Sequence, residues 1–202
     1  MIPKKTNIAI LIMAAGMSSR MKAIKQLLPW RGSTIIGNAL KNAQSSKANK
    51  VLTVLGAFAR EIRKVSDVSA TETVLNPNWE MGLGNSIAYG TKHLLEQDQE
   101  YDGILVMLAD QPLMDDQYLN VLIDNFSNSK HSIVATKYTD RIGVTAIFGK
   151  IHFRALMELN SDFGAREIIK TFQNDVLEVS ADGKTLDIDT AEDYEMMKKS
   201  RK

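Results

Sequence analysis

The stretch IAILIMAAGMSSRMKAIKQLL, from Ile8 to Leu28, decides how the rest of the chain is read. Ile8 to Met13 is a short, wholly apolar run with β-branched residues, which suits a strand buried on both faces. Ala14, Ala15 and Gly16 follow, too small to block anything approaching the backbone. Next come Ser18, Ser19, Arg20 and Lys25, and no acidic residue precedes Glu61. Successive backbone N–H groups in such a loop can form a nest for anionic oxygens. Gly16 tolerates the positive φ of a tight turn. Arg20 can grip two oxygens at once, and Lys25 acts as a point charge. The same residues would also serve as an ordinary strand-to-helix connection carrying solvated cations. The loop has neither the closing Gly-Lys-Ser/Thr of a P-loop nor the second and third glycines of a dinucleotide fingerprint.

The chain of 202 residues is long enough for one well-buried core, and a single domain over residues 1–202 is expected. A net charge of +1 gives no basic excess that would argue for nucleic acid. No apolar run reaches the length of a membrane span, and nothing near the N-terminus reads as a signal peptide. The absence of cysteine excludes disulfides, thiolate metal sites and thiol nucleophiles. The expectation is a cytoplasmic protein without membrane or nucleic-acid partners.

Outward from the opening stretch, Trp30-Arg31-Gly32 reads as a turn, and Ser33 or Thr34 caps a helix with Ile35, Ile36, Ala39, Leu40 and Ala43 at helical spacing. Val51 to Leu55 is a second buried strand, which makes the start of a parallel α/β sheet. A helix over about 58–65 and a strand over 71–75 follow. Residues 76–86 form a polar loop feeding a helix over about 85–96. Ile104 to Leu108 is another apolar strand, ending in Ala109-Asp110-Gln111-Pro112-Leu113. A carboxylate at the end of a buried strand is costly unless it is paired or binds a cation, so Asp110 stands out; capping the next turn is its alternative role. Asp115 and Asp116 start an amphipathic helix and read as caps. Strands are expected over 131–138, 143–148 and 176–179, and helices over 150–159 and 165–172. Near the end, Thr190 and Asp193 form a capping box. Asp187 and Asp189, if on a strand, point to one face, where a cation between them would relieve their repulsion. His93, His131 and His152 have no motif around them.

The run from Met13 to Met21, with Lys25 and Leu27-Leu28-Pro29, resembles the signature of nucleotidyltransferases. Within the MobA-like NTP transferase superfamily it is most similar to the MocA-type molybdenum cofactor cytidylyltransferases. Their pattern reads roughly L-A-A-G-x-S-x-R-M-G-x-x-K-x-L-L-P. Further matches run to Asp193: Asn76-Pro77-x-Trp79-x-x-Gly82-x-x-x-Ser86; Leu108-x-Asp110-Gln111-Pro112-Leu113; Asp162-x-Gly164-Ala165-Arg166; and Asp187-Ile188-Asp189-Thr190. Departures are Lys22 for a family Gly, Thr145 for Pro, Ser161 for Gly and Ala191 for Pro. Thr145 lies in the segment that shapes the acceptor side in the family.

This resemblance implies a three-layer α/β/α fold with a mostly parallel, Rossmann-like sheet. It implies nucleotide binding by Ala14, Ala15, Gly16, Ser18, Arg20, Lys25, Asn76, Gly82, Ser86 and Gln111. Catalytic roles fall on Arg20, Lys25 and Asp110. Mg²⁺ would sit on Asp110 and on Asp187 or Asp189. CTP and molybdenum cofactor are the implied substrates, and a molybdoenzyme of the xanthine dehydrogenase type, or its chaperone, the implied partner. The preference for cytidine rests on Ala14-Ala15-Gly16 and Gln111, where guanylyltransferase relatives differ. Another acceptor, such as a sugar or alditol phosphate, and a non-catalytic cofactor chaperone are the competing readings.

Overall fold

Seven residues, Ile8–Ala14, form the central strand β1, and every one of them is buried. In the computed structural model, which describes residues 6–18, 20–21, 23–64, 68, 71–139, 141–160 and 162–199, this strand has helices on both sides. Ile8, Ile10 and Ile12 point to one face, while Ala9, Leu11 and Met13 point to the other. Each fully buried Ile or Leu of this strand contributes roughly 2 kcal/mol of hydrophobic stabilisation.

The remaining strands are β2 (Pro29–Trp30), β3 (Ser33–Thr34), β4 (Lys50–Leu55), β5 (Glu72–Leu75), β6 (Gly103–Leu108), β7 (Ile133–Lys137), β8 (Ile142–Gly149) and β9 (Val176–Ser180). The main sheet has seven strands in the order β5-β4-β1-β6-β8-β7-β9. All run in one direction except β8, which is antiparallel to β6 and β7. Helices α1 (Ile35–Ser45) and α4 (Asp116–Asn128) cover the isoleucine face. Helices α3 (Leu83–Leu95), α5 (Phe153–Met157) and α6 (Arg166–Thr171) cover the other. The result is a three-layer α/β/α fold.

Local sequence accounts for most boundaries. Thr34 caps α1, its hydroxyl accepting from the Gly37 N–H at 3.0 Å. Asp115 caps α4 by accepting from the Tyr118 N–H at 2.9 Å. Arg31 and Gly32 both take positive φ, 49° and 79°, in the two-residue hairpin between β2 and β3. Trp30 on that hairpin packs with Ile35, Leu113, Ile188, Tyr194 and Met197. This small core pins helix α7 (Ala191–Lys199) beside the sheet. Thr190 and Asp193 form the reciprocal cap: the Asp193 N–H donates to Thr190 at 3.1 Å, and the Thr190 N–H donates to Asp193 at 2.8 Å. Among the described residues, no helix is long and apolar enough to cross a membrane.

The structure alters several expectations. Helix α2 is a single turn, Ala59–Ile62, and Val65 lies outside the described residues. Helix α3 begins at Leu83 rather than near Asn85, because Trp79–Met81 forms a 3-10 turn ahead of it. Residues 186–189 are not a strand. They lie against the end of β6, where the Ile188 N–H donates to the Asp110 carbonyl at 2.9 Å. Gly16 is not among the residues of positive φ; Ser18 takes that conformation instead, with φ of 54°. The use of Gly16 is space, since a Cβ there would meet nothing within 4 Å. Ser19, Lys22 and Ser161 lie outside the described residues.

Candidate active site

Because β4 and β6 flank β1 on opposite sides, the chain reverses direction along the sheet at the β1/β6 boundary. Open parallel sheets leave a crevice at the carboxyl end of such a point. Here it is a cavity of 490 Å³ lined by the loop after β1 (Ala14, Ala15, Gly16), by Asp110 after β6, and by Gly82, Leu83 and Ser86 at the start of α3. Lys25 also lines it. Gly82 has φ of 98°, and a Cβ there would come within 2.0 Å of the Asp162 carboxylate, so this position needs glycine twice over.

The loop after β1 is held in shape by Gln26. Its amide donates to the Gly16 carbonyl at 3.1 Å, and its Oε1 accepts from the Ser18 hydroxyl at 3.2 Å. Gln26 is buried, and its amide braces the open side of the loop. Sequence reading passed over it, although a polar residue beside Leu27 and Leu28 was the available sign. Ser18 is thus a loop brace that also accepts from the Lys25 N–H at 3.4 Å, and it is not among the residues lining the cavity.

Charge gathers at the cavity mouth. The Lys25 ammonium donates to Asp110 at 2.5 Å, to the Ile188 carbonyl at 3.3 Å and to Asp189 at 3.4 Å. Arg20 pairs with the other oxygen of Asp189 at 2.9 Å. Side chains of Lys25 and Asp110 are only 13% and 20% exposed. Burial works to lower the Lys25 pKa, but the charge and hydrogen bond of Asp110, then those of Asp189, outweigh it. The result lies above the ordinary lysine value. The second oxygen of Asp110 is buried without a hydrogen-bond partner.

Asp187 differs from Asp189. It accepts from the Gln111 amide at 2.7 Å and pairs with no cation among the described residues. Burial, then the charge of Asp110, holds its carboxyl above the usual range, against the bond from Gln111. The two aspartates therefore do not share a face opposite one cation, as a strand would have required. Ile188 is buried between them, and they turn to different partners. Among the described residues, no three His, Cys, Asp or Glu side chains converge tightly enough to cage a metal by themselves.

Gln111 is fixed on every side. Its amide also donates to the Tyr138 hydroxyl at 2.7 Å, and its Oε1 accepts from the Thr145 hydroxyl at 3.1 Å. A bulge explains that last contact: β7 pairs Ala135 with Ala146 and Thr136 with Gly143, so Val144 and Thr145 have no partners opposite them. Thr145, one of the departures from the family pattern, thus sets the Gln111 amide. Asn76 is fully buried and does not line the cavity. Its amide donates to Asn85 at 3.0 Å and to the Ser86 hydroxyl at 3.1 Å, and its oxygen accepts from the Asn78 N–H at 3.0 Å. Asn76 therefore braces the loop. The Ser86 N–H donates to the Gly82 carbonyl at 3.3 Å. His152 is buried against Ser132 and lies outside this cavity.

The chain matches the MobA-like NTP transferase domain over residues 10–177. It is 30% identical to the purine catabolism protein PucB of Bacillus subtilis over 203 aligned residues, covering 93% of this chain and 94% of that protein. The crystal structure of Rv0371c from Mycobacterium tuberculosis superposes with a TM-score of 0.82 at 30% identity, over 95% of this chain and 97% of that one. The structure of the Rv0371c complex with manganese gives 0.80 at 28% identity, over 96% and 100%. A shorter likeness, 33% over 78 residues, covers 38% of this chain and 40% of the molybdenum cofactor cytidylyltransferase of Escherichia coli. With the switch-point cavity and the near-complete coverage by these relatives, the chain belongs to the MobA-like NTP transferase family and is a nucleotidyltransferase.

Proposed function

We propose that this nucleotidyltransferase moves CMP from CTP to the terminal phosphate of a molybdopterin-type molybdenum cofactor and releases pyrophosphate. The convergence of Lys25, Arg20, Asp110 and Asp189 at one cavity mouth carries the reading. It puts two cations where a triphosphate can take over from carboxylates that already hold them. The partial likeness to the E. coli molybdenum cofactor cytidylyltransferase supports the cofactor and cytidine assignments, and the likeness to PucB supports a place in purine catabolism. By the same likeness, the product serves maturation of a xanthine dehydrogenase-type enzyme, and through it purine catabolism. One domain, acting in the cytoplasm, carries out the reaction.

An acceptor phosphate oxygen attacks the α-phosphorus, a new P–O bond forms, and the bond to the β-phosphate breaks. A phosphate monoester is already ionised near neutral pH, its second pKa being about 6, so the chain supplies no general base. Positioning and charge neutralisation remain to be supplied, as in other phosphoryl transfers. Ala14, Ala15 and Gly16 offer unobstructed backbone to the nucleotide. Arg20 and Lys25 hold the β- and γ-phosphates and stabilise the departing pyrophosphate.

The residues fit a divalent cation: Asp110 has one buried oxygen without a hydrogen-bond partner, and Asp187 is a half-buried carboxylate near it that pairs with no cation among the described residues. Asp189, occupied by Arg20 and Lys25, is not the second ligand in this assignment. Asp110 and Asp187 would hold Mg²⁺, which would supply charge neutralisation for the phosphoryl transfer.

The test is pyrophosphate release from CTP, GTP, ATP and UTP with Mg²⁺, with and without molybdenum cofactor. Release from CTP only when the cofactor is present is the expected result. Release with a different nucleotide would retire the cytidine assignment. Release with sugar or alditol phosphates and not with the cofactor would move the acceptor to that class. No release at all from folded, cofactor-bound protein would favour a chaperone.

A further inference from the structure

Beside the main cavity lies a second one, of 170 Å³, whose lining includes Gln111 and Asp187 but also two arginines and a phenyl ring to which the roles above give no part. The two share Leu83, Leu108 and Asp162 as walls, so they adjoin at the end of β6. Its rim exists because β8 runs against the rest of the sheet. That reversal brings Arg141, just before β8, to the same edge as Tyr138, just after β7. Arg141 stacks over the Tyr138 ring with its guanidinium carbon 5.1 Å from the ring centre. Arg166, at the start of α6, lines the same cavity. Among the described residues, neither guanidinium is ion-paired. Burial pushes the Tyr138 hydroxyl up while the charges of both arginines pull it down, so both lie near it. Two carboxylates, Asp162 and Asp187, are also in the lining. Phe163, in the same wall, is 68% exposed, an unusual place for a large apolar ring.

We propose that this second cavity is the acceptor site, in which Arg141 and Arg166 clamp a phosphate monoester dianion and Phe163 receives the flat ring system that bears it. The proposal rests on the transferase reading and adds to it the residues and the class of the acceptor. Two planar forks match three phosphate oxygens, where a lone ammonium would give only a point charge. An exposed phenyl ring favours a ring-bearing ester over a polyol phosphate, whose hydroxyls would gain nothing from it. The shared wall then directs the held phosphate toward Asp110 and the main cavity.

The experiment is calorimetric titration of the full chain with phenyl phosphate, glycerol 3-phosphate and phenol, and separately with CTP. Phenyl phosphate is expected to bind about tenfold more tightly than glycerol 3-phosphate, and phenol not measurably. The double variant Arg141→Gln/Arg166→Gln should weaken phenyl phosphate by about tenfold or more and leave CTP unchanged. Phe163→Ala should erase the preference for phenyl over glycerol phosphate. Both arginines are exposed, so the variants should fold, and the single substitutions provide the same readout. Unchanged phenyl phosphate binding in the double variant, or its loss only in Lys25→Met, would overturn the clamp. Equal affinity for the two esters would overturn the ring assignment. CTP-independent pyrophosphate release in the nucleotide panel, with arginine-dependent phenyl phosphate binding intact, would retire the cytidine reading and leave this site standing.

Discussion

The two cavities at the carboxyl edge of the sheet handle charge in opposite ways. At the larger one, Lys25 in its lining is already neutralised by Asp110 and Asp189, and Arg20, beside it, is paired with Asp189. In the smaller one, Arg141 and Arg166 line the cavity, and neither is ion-paired among the described residues. An ion pair closed before the ligand arrives must be opened by it, so affinity there depends on what else takes over the carboxylate. Guanidiniums without such a pair need no exchange. The difference teaches that nucleotide and divalent cation should bind the large cavity together, each releasing the partner of the other, while the smaller cavity is open independently.

The largest effects should come from breaking the closed pair. Lys25→Met or Asp110→Asn should each lower kcat/KM by about a thousandfold, read by pyrophosphate release. Lys25→Met should also destabilise the protein by about 2 kcal/mol, because it leaves a nearly buried carboxylate unpaired. Thermal melting checks that second consequence, and Asp110→Asn should show much less of it.

Asp187 sharpens the comparison from the other side. Its carboxyl is held above the usual range by burial and by Asp110. A raised acid favours the folded state at low pH, and that contribution fades as pH rises through its folded-state pKa. Asp187→Asn should therefore lower activity by about a hundredfold while raising the ligand-free melting temperature at pH 7 by about 2 °C. Near pH 3 the two proteins should melt together. A lower melting temperature for the variant at neutral pH would show that the Asp187 charge is not strained there.

Smaller effects are expected at the edges of the two cavities. Thr145→Val removes the hydroxyl that holds the Gln111 amide, which should cost about 1 kcal/mol and about 3 °C in melting temperature. Acceptor KM should rise a few-fold, with nucleotide KM unchanged. Asp189→Asn frees Arg20 from its partner, and CTP binding measured without metal should tighten by about threefold. If it weakens instead, Asp189 supports the nucleotide site rather than restraining it.

Much of this was legible in the sequence, for identifiable reasons. β1 was visible because seven apolar residues in a row serve a strand buried on both faces. Asp110 stood out because a carboxylate at the end of such a strand demands a partner; that the partner is Lys25, 85 residues away, was not read from the sequence. The capping residues Thr34, Asp115 and Thr190 follow local rules and were read locally. What stayed hidden depends on tertiary placement. The positive φ at Ser18 rather than Gly16 follows from the brace supplied by Gln26, which no local pattern announces. The divergence of Asp187 and Asp189 follows from Ile188 entering the core beside Trp30. Arg141 carried no signal because its place at the rim depends on the reversed direction of β8, and alternation alone does not fix strand direction.

The coupling of cation and nucleotide is tested most directly by CTP affinity measured in saturating Mg²⁺ and in EDTA, for the native chain and for Asp110→Asn. The predicted result is that Mg²⁺ tightens CTP binding to the native chain by about tenfold or more, and that this gain vanishes in the variant. CTP bound equally well with and without the cation by the native chain would contradict the closed pair as the gate to the nucleotide site.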